Sequence, residues 1–337
     1  PTEVPEPVQK SQLTGLIEKG PFINGSNVSI WELDASFSQT GKSFSATTNN
    51  EGFFEMTNSM EFASRYVKLS VNGYYFNEIS GEQSSSPITL EAIADIKDKN
   101  SINANLITHL EYKRVLYLAD KESKGFTEAK KQAEKELLAC FLITGKDITP
   151  EAASITDNDT QADILIAISS ILLKSVEDES AKDAKFTELI NNFRDDLEKD
   201  GQISDELKEI IKEASYQLDY TEVKENIENR YRELGKNVTV GNFHYFIDGD
   251  GDGILSEKDY VIDKEPEESL EPDDFFRTEE YFKIVMTSVL HEMSNATRQV
   301  YLFDALFTQS VDYDMSNHNL DAIYNHQIDA GNALIYS

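Results

Sequence analysis

The hydrophobic periodicity of this chain changes once, near residue 100, and that change limits the possible folds more than any other feature. Before it, apolar and polar residues alternate over short runs, as in VSIWEL at 28–33. After it, apolar residues recur every three or four positions, as at Leu106, Ile107 and Leu110. Alternation is typical of strands, and the longer period is typical of helices. The sequence therefore predicts a multidomain α and β protein in which strands come first and helices follow.

Residues 13–95 are predicted to form an antiparallel β-sandwich. Turn sequences such as Gly20-Pro21 and Asn72-Gly73 separate the apolar runs. About seven short strands within one small segment are typical of two packed antiparallel sheets. The predicted strands are Leu13–Glu18, Val28–Leu33, Ser43–Thr48, Gly52–Met56, Tyr66–Val71, Tyr74–Ile79 and Ile88–Ala92.

Residues 96–262 are predicted to form a mainly helical bundle of about six helices joined by short loops. The third helix, which contains Ile164, Ile168 and Leu172, is apolar over much of its surface and is therefore expected to be central. The last three helices are amphipathic with acidic outer faces. An acidic linker at 263–274 and a C-terminal helical segment at 275–337 complete the predicted organisation. The apolar period still runs at Ser337, which indicates either a docked terminal helix or a chain that continues.

The run DGDGDGILSEKD at 248–259 predicts a calcium site. Oxygen ligands recur at alternate positions, and Gly253 permits the sharp turn that such a loop needs. Without a hard cation the crowded carboxylates would repel one another. The alternative is a solvated acidic turn. The predicted Ca²⁺ ligands are Asp248, Asp250, Asp252, the carbonyl of Ile254, Ser256 through water, and Asp259.

Two features distinguish this loop from that of a calcium sensor. Position 12 is Asp259 and not Glu, so its shorter side chain reaches the ion less well. The preceding segment, NVTVGNFHYFI at 237–247, is rich in β-branched and aromatic residues and predicts a strand in place of an entering helix. The loop is therefore similar to the lone calcium loops of dockerin-type modules, which favours a structural role. A second acidic turn lacks a final ligand at Leu207, so Gly201 is expected to end one helix and Ser204 to cap the next.

The charge balance limits the possible partners. The chain has 31 basic and 62 acidic residues, a formal net charge of −31. Nucleic acid and anionic membrane surfaces are therefore not expected to bind. No apolar run of about 18 residues, the length needed to span a bilayer, is present. Residues 1–12 are Pro-rich and predicted to be a linker, and a start without Met is typical of a mature chain whose export signal is missing.

No pattern of catalytic residues is found. His291 and Glu292 match the first two residues of the zinc-peptidase motif His-Glu-x-x-His. The second histidine of that motif, four residues after the first, is absent. The sequence has no nucleophile elbow and no phosphate-binding loop. With 62 acidic residues, spacing in the sequence cannot identify a catalytic carboxylate pair. We therefore predict no catalytic residue, and a hydrolase stays open as a third class. The aromatic residues of the N-terminal part, such as Trp31 and Tyr75, are expected in the core and not on sugar-binding faces.

The sequence resembles a known class of bacterial proteins. The run GLIEKGPFINGSNVSIWELDASFSQTGKSFSATTNNEGFFEM is similar to carboxypeptidase-regulatory-like, transthyretin-like sandwich modules. With NGYYFNEISG, SPITLEAIADI and NANLITHLEYKRVLYL it resembles uncharacterised surface lipoproteins of Bacteroidetes-type bacteria over residues 13–260. This resemblance implies export, an N-terminal lipid anchor at the cell surface or outer membrane (with the periplasm also open), and no catalytic role.

The segment EPDDFFRTEEYF at 271–282 and the helices after it resemble the start of starch-utilisation-type glycan-capture lipoproteins. The sequence thus leaves two functions open. One is a non-catalytic calcium-binding surface lipoprotein with a structural or binding role. The other is a glycan-binding component of a polysaccharide uptake system. The expected partners are a glycan or another surface protein.

Overall fold

Within the part of the chain that the structure describes, strands come first and helices follow, as the change in period predicts. The computed structural model describes residues 7–177 and 179–247. All of these belong to the first of the chain's two units, Pro1–Glu265 and Pro266–Ser337. The strands are β1 (Val8–Lys10), β2 (Leu13–Glu18), β3 (Asn27–Leu33), β4 (Gln39–Thr47), β5 (Phe53–Met56), β6 (Met60–Phe62), β7 (Tyr66–Gly73), β8 (Phe76–Asn77), β9 (Glu82–Gln83), β10 (Ile88–Asp95) and β11 (Ala104–Asn105).

Six α-helices follow the strands, and a short 3₁₀ helix, Phe243–Phe246, lies near the end of the described part. The predicted mixed α and β class is confirmed. The third helix is buried on almost every side, as its composition predicts. The helices are α1 (Leu106–Asp120), α2 (Phe126–Cys140), α3 (Thr160–Lys174), α4 (Lys182–Asp200), α5 (Asp205–Tyr216) and α6 (Tyr220–Glu233).

The main sheet is antiparallel in the order β10-β7-β3-β4. A second sheet has the order β11-β2-β5, in which β11 runs parallel to β2 and β5 runs antiparallel to it. Buried and exposed residues alternate along β3 and β7, because successive side chains point to opposite faces of a strand. The buried faces of both sheets contribute to the same hydrophobic core.

Three expectations for the strands need correction. The predicted linker at 1–12 contains β1, whose Val8 pairs with Phe62 of β6. The predicted strand Tyr74–Ile79 is reduced to Phe76–Asn77, because the Asn77 side chain accepts hydrogen bonds from Ile79 and Ser80 and forms a turn. The aromatic residues of this part are not all in the core as expected. Phe22, Phe54 and Tyr75 are buried, but Phe53 and Tyr74 keep 37% and 42% of their surface exposed.

Helix α1 packs against β10, an edge strand of the main sheet. At edge strand β10, the backbone N–H of Glu91 donates to His109 Nδ1 of α1 over 3.2 Å. The hydroxyl of Thr108 donates to the carbonyl of Glu91, also over 3.2 Å. Burial lowers the pKa of His109 to about 3, so this imidazole stays neutral and can accept. His109 is therefore a structural residue of the sheet–helix contact.

The acidic turn between α4 and α5 has the local structure that its sequence predicts. Gly201 adopts φ 74° and ends α4, a left-handed conformation that glycine adopts without strain. The Ser204 side chain accepts from the backbone N–H of Leu207 and caps α5. None of the described helices is long and apolar enough to cross a lipid bilayer.

A buried ion pair connects the strands to the helices. Lys19, directly after β2, donates to both carboxylate oxygens of Glu78 over 2.7 Å, and both side chains are almost fully buried. Ser169 of α3 donates to the same carboxylate over 2.5 Å. The Asn226 side chain of α6 donates to the carbonyls of Glu78 and Ile79. The strand-rich and helical parts therefore share polar contacts as well as a core, and the boundary predicted between 95 and 96 stays a prediction.

Removal of one partner of this pair should destabilise the protein strongly. We expect Lys19→Met to lower the free energy of unfolding by about 3–5 kcal/mol, because the Glu78 carboxylate would be left buried without a cation. The double variant Lys19→Met with Glu78→Leu should recover most of that loss. Urea unfolding followed by circular dichroism measures both. Lys208→Met, at an exposed pair with Asp205, is the control and should leave stability nearly unchanged. Equal losses in the single and double variants would contradict the expectation.

Candidate functional site

The predicted calcium loop lies outside the described residues. This applies to all six expected ligands, Asp248, Asp250, Asp252, Ile254, Ser256 and Asp259. Within the described part, no group of three or more His, Cys, Asp or Glu side chains is arranged to hold a metal ion. The structure does define the segment that leads to the loop, since the described part ends at Ile247, directly before the first expected ligand.

The segment that leads to the loop is not a strand. Between residues 237 and 247 the structure has irregular backbone followed by the 3₁₀ helix Phe243–Phe246, so the predicted strand is wrong. The backbone N–H of Val240 donates to the Glu228 side chain of α6 over 3.0 Å and not to a neighbouring strand. β-Branched and aromatic residues here serve burial against helices, which strand propensity cannot distinguish from burial in a sheet.

This approach segment is anchored in the core. Val240, Phe243 and Ile247 are all buried and belong to the main hydrophobic core, and the 3₁₀ helix packs on α3. Burial of a side chain of this size stabilises by about 1.5–3 kcal/mol. Three such residues within eight positions hold the backbone in place up to the residue before Asp248.

A carboxylate of α3 fixes the turn in the approach segment. The backbone of Asn242 hydrogen-bonds to Asp163, and burial raises the pKa of this carboxyl while that hydrogen bond opposes the rise. Gly241 lies against the same group, and a Cβ atom at Gly241 would be 2.4 Å from Asp163 Oδ1. Only glycine permits so close an approach of backbone and carboxylate.

Three aromatic rings stack on the outer side of this segment. The rings of Tyr220, at the start of α6, and His244 have centroids 5.1 Å apart with an interplanar angle of 27°. The centroids of His244 and Tyr245 are 4.4 Å apart with an angle of 31°. Tyr220 and Tyr245 keep 37% and 56% of their surface exposed. We call Tyr220, His244 and Tyr245 the aromatic platform.

A second cluster lies at a cleft between α2, the loop before α3 and the segment that follows β10. Lys130 of α2 forms ion pairs with Glu111 of α1 and with Glu151, and Lys130 and Glu151 line a cleft of about 370 Å³. Burial raises the pKa of Glu111 to about 8, against the effect of Lys130. Glu111 is fully buried and does not line the cleft, so a substrate there could not reach it. The cluster fits a structural role better than a hydrolytic carboxylate pair.

Glu18 is a buried carboxyl without a cation. It accepts hydrogen bonds from the Ser154 hydroxyl over 3.0 Å and the Ile155 N–H over 3.1 Å. Burial raises the pKa of Glu18 to about 7, while these hydrogen bonds lower it. Glu18 joins β2 to the loop before α3, and Tyr231 of α6 donates to it over 3.5 Å. Like Glu78, it serves the contact between the strand-rich and helical parts.

Sequence reasoning missed the aromatic platform. Tyr220 directly follows the helix cap Asp219, and His244 and Tyr245 lie in a segment interpreted as a strand. The aromatic density of NFHYF at 242–246 is the available signal in the sequence. It could not show that Tyr220, more than twenty positions earlier, stacks on the same group.

Comparisons with family models, with curated proteins and with solved structures gave no match to this chain.

We expect Gly241→Ala to destabilise the approach segment. The added methyl group would displace Asp163 or the backbone, so the free energy of unfolding should fall by about 1–2 kcal/mol, within the range for overpacked sites. Urea unfolding measures the change. In an Asp163→Ala background the same substitution should cost much less, because the contact at Oδ1 is gone. An equal cost in both backgrounds would show that Asp163 is not the obstacle.

The raised pKa of Glu18 predicts a pH dependence of stability. A carboxyl whose pKa rises from an ordinary 4.5 to about 7 on folding binds more protons in the folded state. Its contribution is therefore fully present below pH 4.5 and is lost as the pH rises through 7. We expect the unfolding free energy of wild type, relative to that of Glu18→Gln, to fall steadily as the pH rises over this window.

The measurement is urea unfolding of both proteins at several pH values between 4.5 and 8. The exposed Glu209→Gln is the control, and its difference from wild type should not vary with pH in this way. A constant difference for Glu18→Gln would contradict the prediction.

Proposed function

We propose that this chain is a non-catalytic, calcium-binding lipoprotein of the bacterial cell surface with a structural or binding role. The proposal includes a transthyretin-like arrangement of residues 13–95 and an N-terminal lipid anchor. The antiparallel sheet β10-β7-β3-β4 supports the first of these points, and the family resemblance supports the second. The acidic composition is compatible with a cation-binding surface.

The anchored approach segment carries the proposal. A calcium loop that starts at Asp248 would follow directly on Ile247, which is buried in the core beside α3. The ion would neutralise the carboxylates of Asp248, Asp250, Asp252 and Asp259 and thereby set the direction of the chain beyond the core. These ligands are all oxygen donors, which is the donor set that Ca²⁺ prefers. Such a clip differs from a sensor because one end of the loop is held whether or not the ion is bound.

A non-catalytic role agrees with how the buried titratable groups are used. Lys19 and Glu78 are enclosed by the core, and Glu111 is shielded from the neighbouring cleft by Lys130. Each of these side chains connects two or more elements of the fold. A general acid or base must reach a substrate, and buried groups of this kind do not.

A second function is favoured by the aromatic platform. Exposed tyrosine faces are uncommon in the described part, and two of its four exposed large apolar residues lie in this one stack. Flat aromatic faces beside polar groups suit carbohydrate, which supports a glycan-binding component of a polysaccharide uptake system. The two functions are compatible, since a calcium clip could hold a binding surface in place.

Surface anchoring is open to a direct test. In cells that produce the full-length protein, labelled palmitate should be incorporated and the protein should remain with the membrane fraction after a high-salt wash. Recovery in the soluble fraction without label would contradict the lipid anchor and leave the calcium proposal intact.

Calcium should stabilise the metal-stripped protein. A site with a dissociation constant of about 0.1–1 mM, typical of extracellular modules, gains about 1.4–2.7 kcal/mol at roughly 10 mM calcium. We therefore expect a rise in the melting temperature on addition of CaCl₂, measured by differential scanning calorimetry. Asp250→Ala should abolish this rise.

Asp98→Asn, at an exposed carboxylate outside the loop, is the matched control and should retain the full response. Equal amounts of MgCl₂ should have a much smaller effect, since Mg²⁺ demands a tighter octahedral shell. No response to calcium in the wild-type protein would exclude the clip.

A further inference from the structure

We propose that a cleft between α2 and the loop that follows it binds a soluble phosphate monoester. The cleft has a volume of about 420 Å³ and is lined by Lys131 and Lys135 of α2 and by Lys146 and Asp147 of the loop. We call this site the lysine cleft. It shares no residue with the expected calcium loop or with the aromatic platform, so the inference goes beyond the functions proposed above.

Two hydrogen bonds fold the loop back along α2. The backbone N–H of Ile143 donates to the carbonyl of Leu138 over 3.0 Å. Further along the chain, the backbone N–H of Ile148 donates to the Glu134 side chain over 2.8 Å. Residues 144–147 are therefore held beside the helix at both ends. This brings the lysine of the loop to the same cleft as the two lysines of the helix.

The usual structural roles of a surface lysine do not account for these side chains. Lys135 and Lys146 form no ion pair within the described residues, and Lys131 lies 3.8 Å from Asp147 where both are exposed. The last turn of α2 contains no basic residue, so none of these lysines lies where it would stabilise the C-terminal end of the helix dipole. Lys131 and Lys135 are four positions apart, where like charges repel on a helix. A bound anion would remove that repulsion.

The charges at the cleft favour an anion, although the chain as a whole is acidic. Asp147 is the one carboxylate among the described residues that line it, against three ammonium groups. Glu134 is on the same helix, but it is buried and lines the neighbouring cleft instead. Charges farther away than about 8 Å are largely screened at physiological ionic strength. The groups that line the cleft therefore decide which charge it accepts.

The backbone of the loop adds hydrogen-bond donors to these charges. The N–H groups of Gly145, Lys146 and Asp147 make no hydrogen bond within the part of the chain that the structure describes. Gly145 adopts a left-handed φ of 65°. Successive N–H groups in a turn that contains a left-handed residue form concave sites for anions.

The number of donors favours phosphate over carboxylate. A phosphate monoester carries a charge of about −1.5 to −2 at pH 7 and three strong acceptor oxygens. A carboxylate carries one charge and two oxygens, so it would pair with fewer of the ammonium and N–H groups. The volume of the cleft lies within the range of about 300–1,000 Å³ that small-molecule sites have. The cleft therefore has room for the organic part of a monoester beside the exposed Ala139.

NMR spectroscopy of the isotope-labelled full chain tests the proposal, with glycerol 3-phosphate as the probe. We expect the backbone amide signals of Gly145, Lys146 and Asp147 to shift on addition of the probe and to reach saturation. Sodium acetate at the same ionic strength should shift these signals much less, because it offers fewer acceptors and less charge. Sodium chloride at that ionic strength should leave them unchanged.

Variants of the lysines locate the site. Lys135→Met and Lys146→Met should each weaken the binding of glycerol 3-phosphate about fivefold, which corresponds to about 1 kcal/mol. The double variant should show no saturable shift. The matched control is the double variant Lys174→Met with Lys199→Met, which removes the same charge from α3 and α4 outside the cleft and should bind like wild type. Circular dichroism establishes that all variants fold.

The outcomes separate the site, the ligand class and its source. Equal weakening in the two double variants would attribute binding to overall charge and overturn the site. Acetate that binds as tightly as glycerol 3-phosphate would overturn the phosphate class, and no saturable shift with either probe would overturn the whole proposal. Vesicles of equimolar phosphatidylcholine and phosphatidic acid should not co-sediment with the protein. Co-sedimentation that the Lys135→Met and Lys146→Met double variant loses would overturn the soluble ligand in favour of a lipid headgroup.

Discussion

The rest of the described structure depends on the buried ion pair between Lys19 and Glu78. A lysine and a glutamate without access to water would each cost several kcal/mol if left alone, so the strands and helices must meet in one arrangement that pairs them. The rings of Tyr75 and Phe186 lie 5.3 and 5.2 Å from the Lys19 ammonium and enclose it further. Burial lowers the pKa of Lys19, and the carboxylates of Glu78 and, more weakly, Asp183 oppose this. A buried pair of this kind adds little to the free energy of unfolding. Its main effect is to favour the one arrangement of strands and helices in which both charges are paired.

Other buried polar groups also connect separate elements of the fold through hydrogen bonds and ion pairs. Asp183, in the first turn of α4, accepts hydrogen bonds from the backbone of Ser85 and Ser86 and from the hydroxyl of Tyr75. Glu18 and Glu111 likewise link separate elements. Helices that moved relative to the sheets would leave these groups unsatisfied at a cost of about 1–3 kcal/mol each. The strands and helices of the described part therefore form a rigid support.

A rigid support suits both proposed functions. The approach segment leaves the core at Ile247, and Tyr245 of the aromatic platform lies two residues before it. A calcium loop and a glycan-binding face would then share one supporting element, the 3₁₀ helix packed on α3. Both functions need a fixed geometry and neither needs a reactive group. This agrees with a chain whose buried acids and bases are occupied in packing.

The sequence by itself determined that strands come first and helices follow in the described part, because the periods of 2 and 3.6 depend only on local spacing. It also determined the Gly201 and Ser204 helix ends, while the oxygen ligands of the loop stay a prediction. Tertiary structure alone decided that Lys19, Glu18 and Glu111 are buried, since their partners lie tens of residues away. It gave the strand-like 237–247 segment an irregular backbone that ends in the 3₁₀ helix Phe243–Phe246, because burial against α3 outweighed local propensity. It also brought Tyr220 onto His244, a contact between two elements that no local pattern encodes.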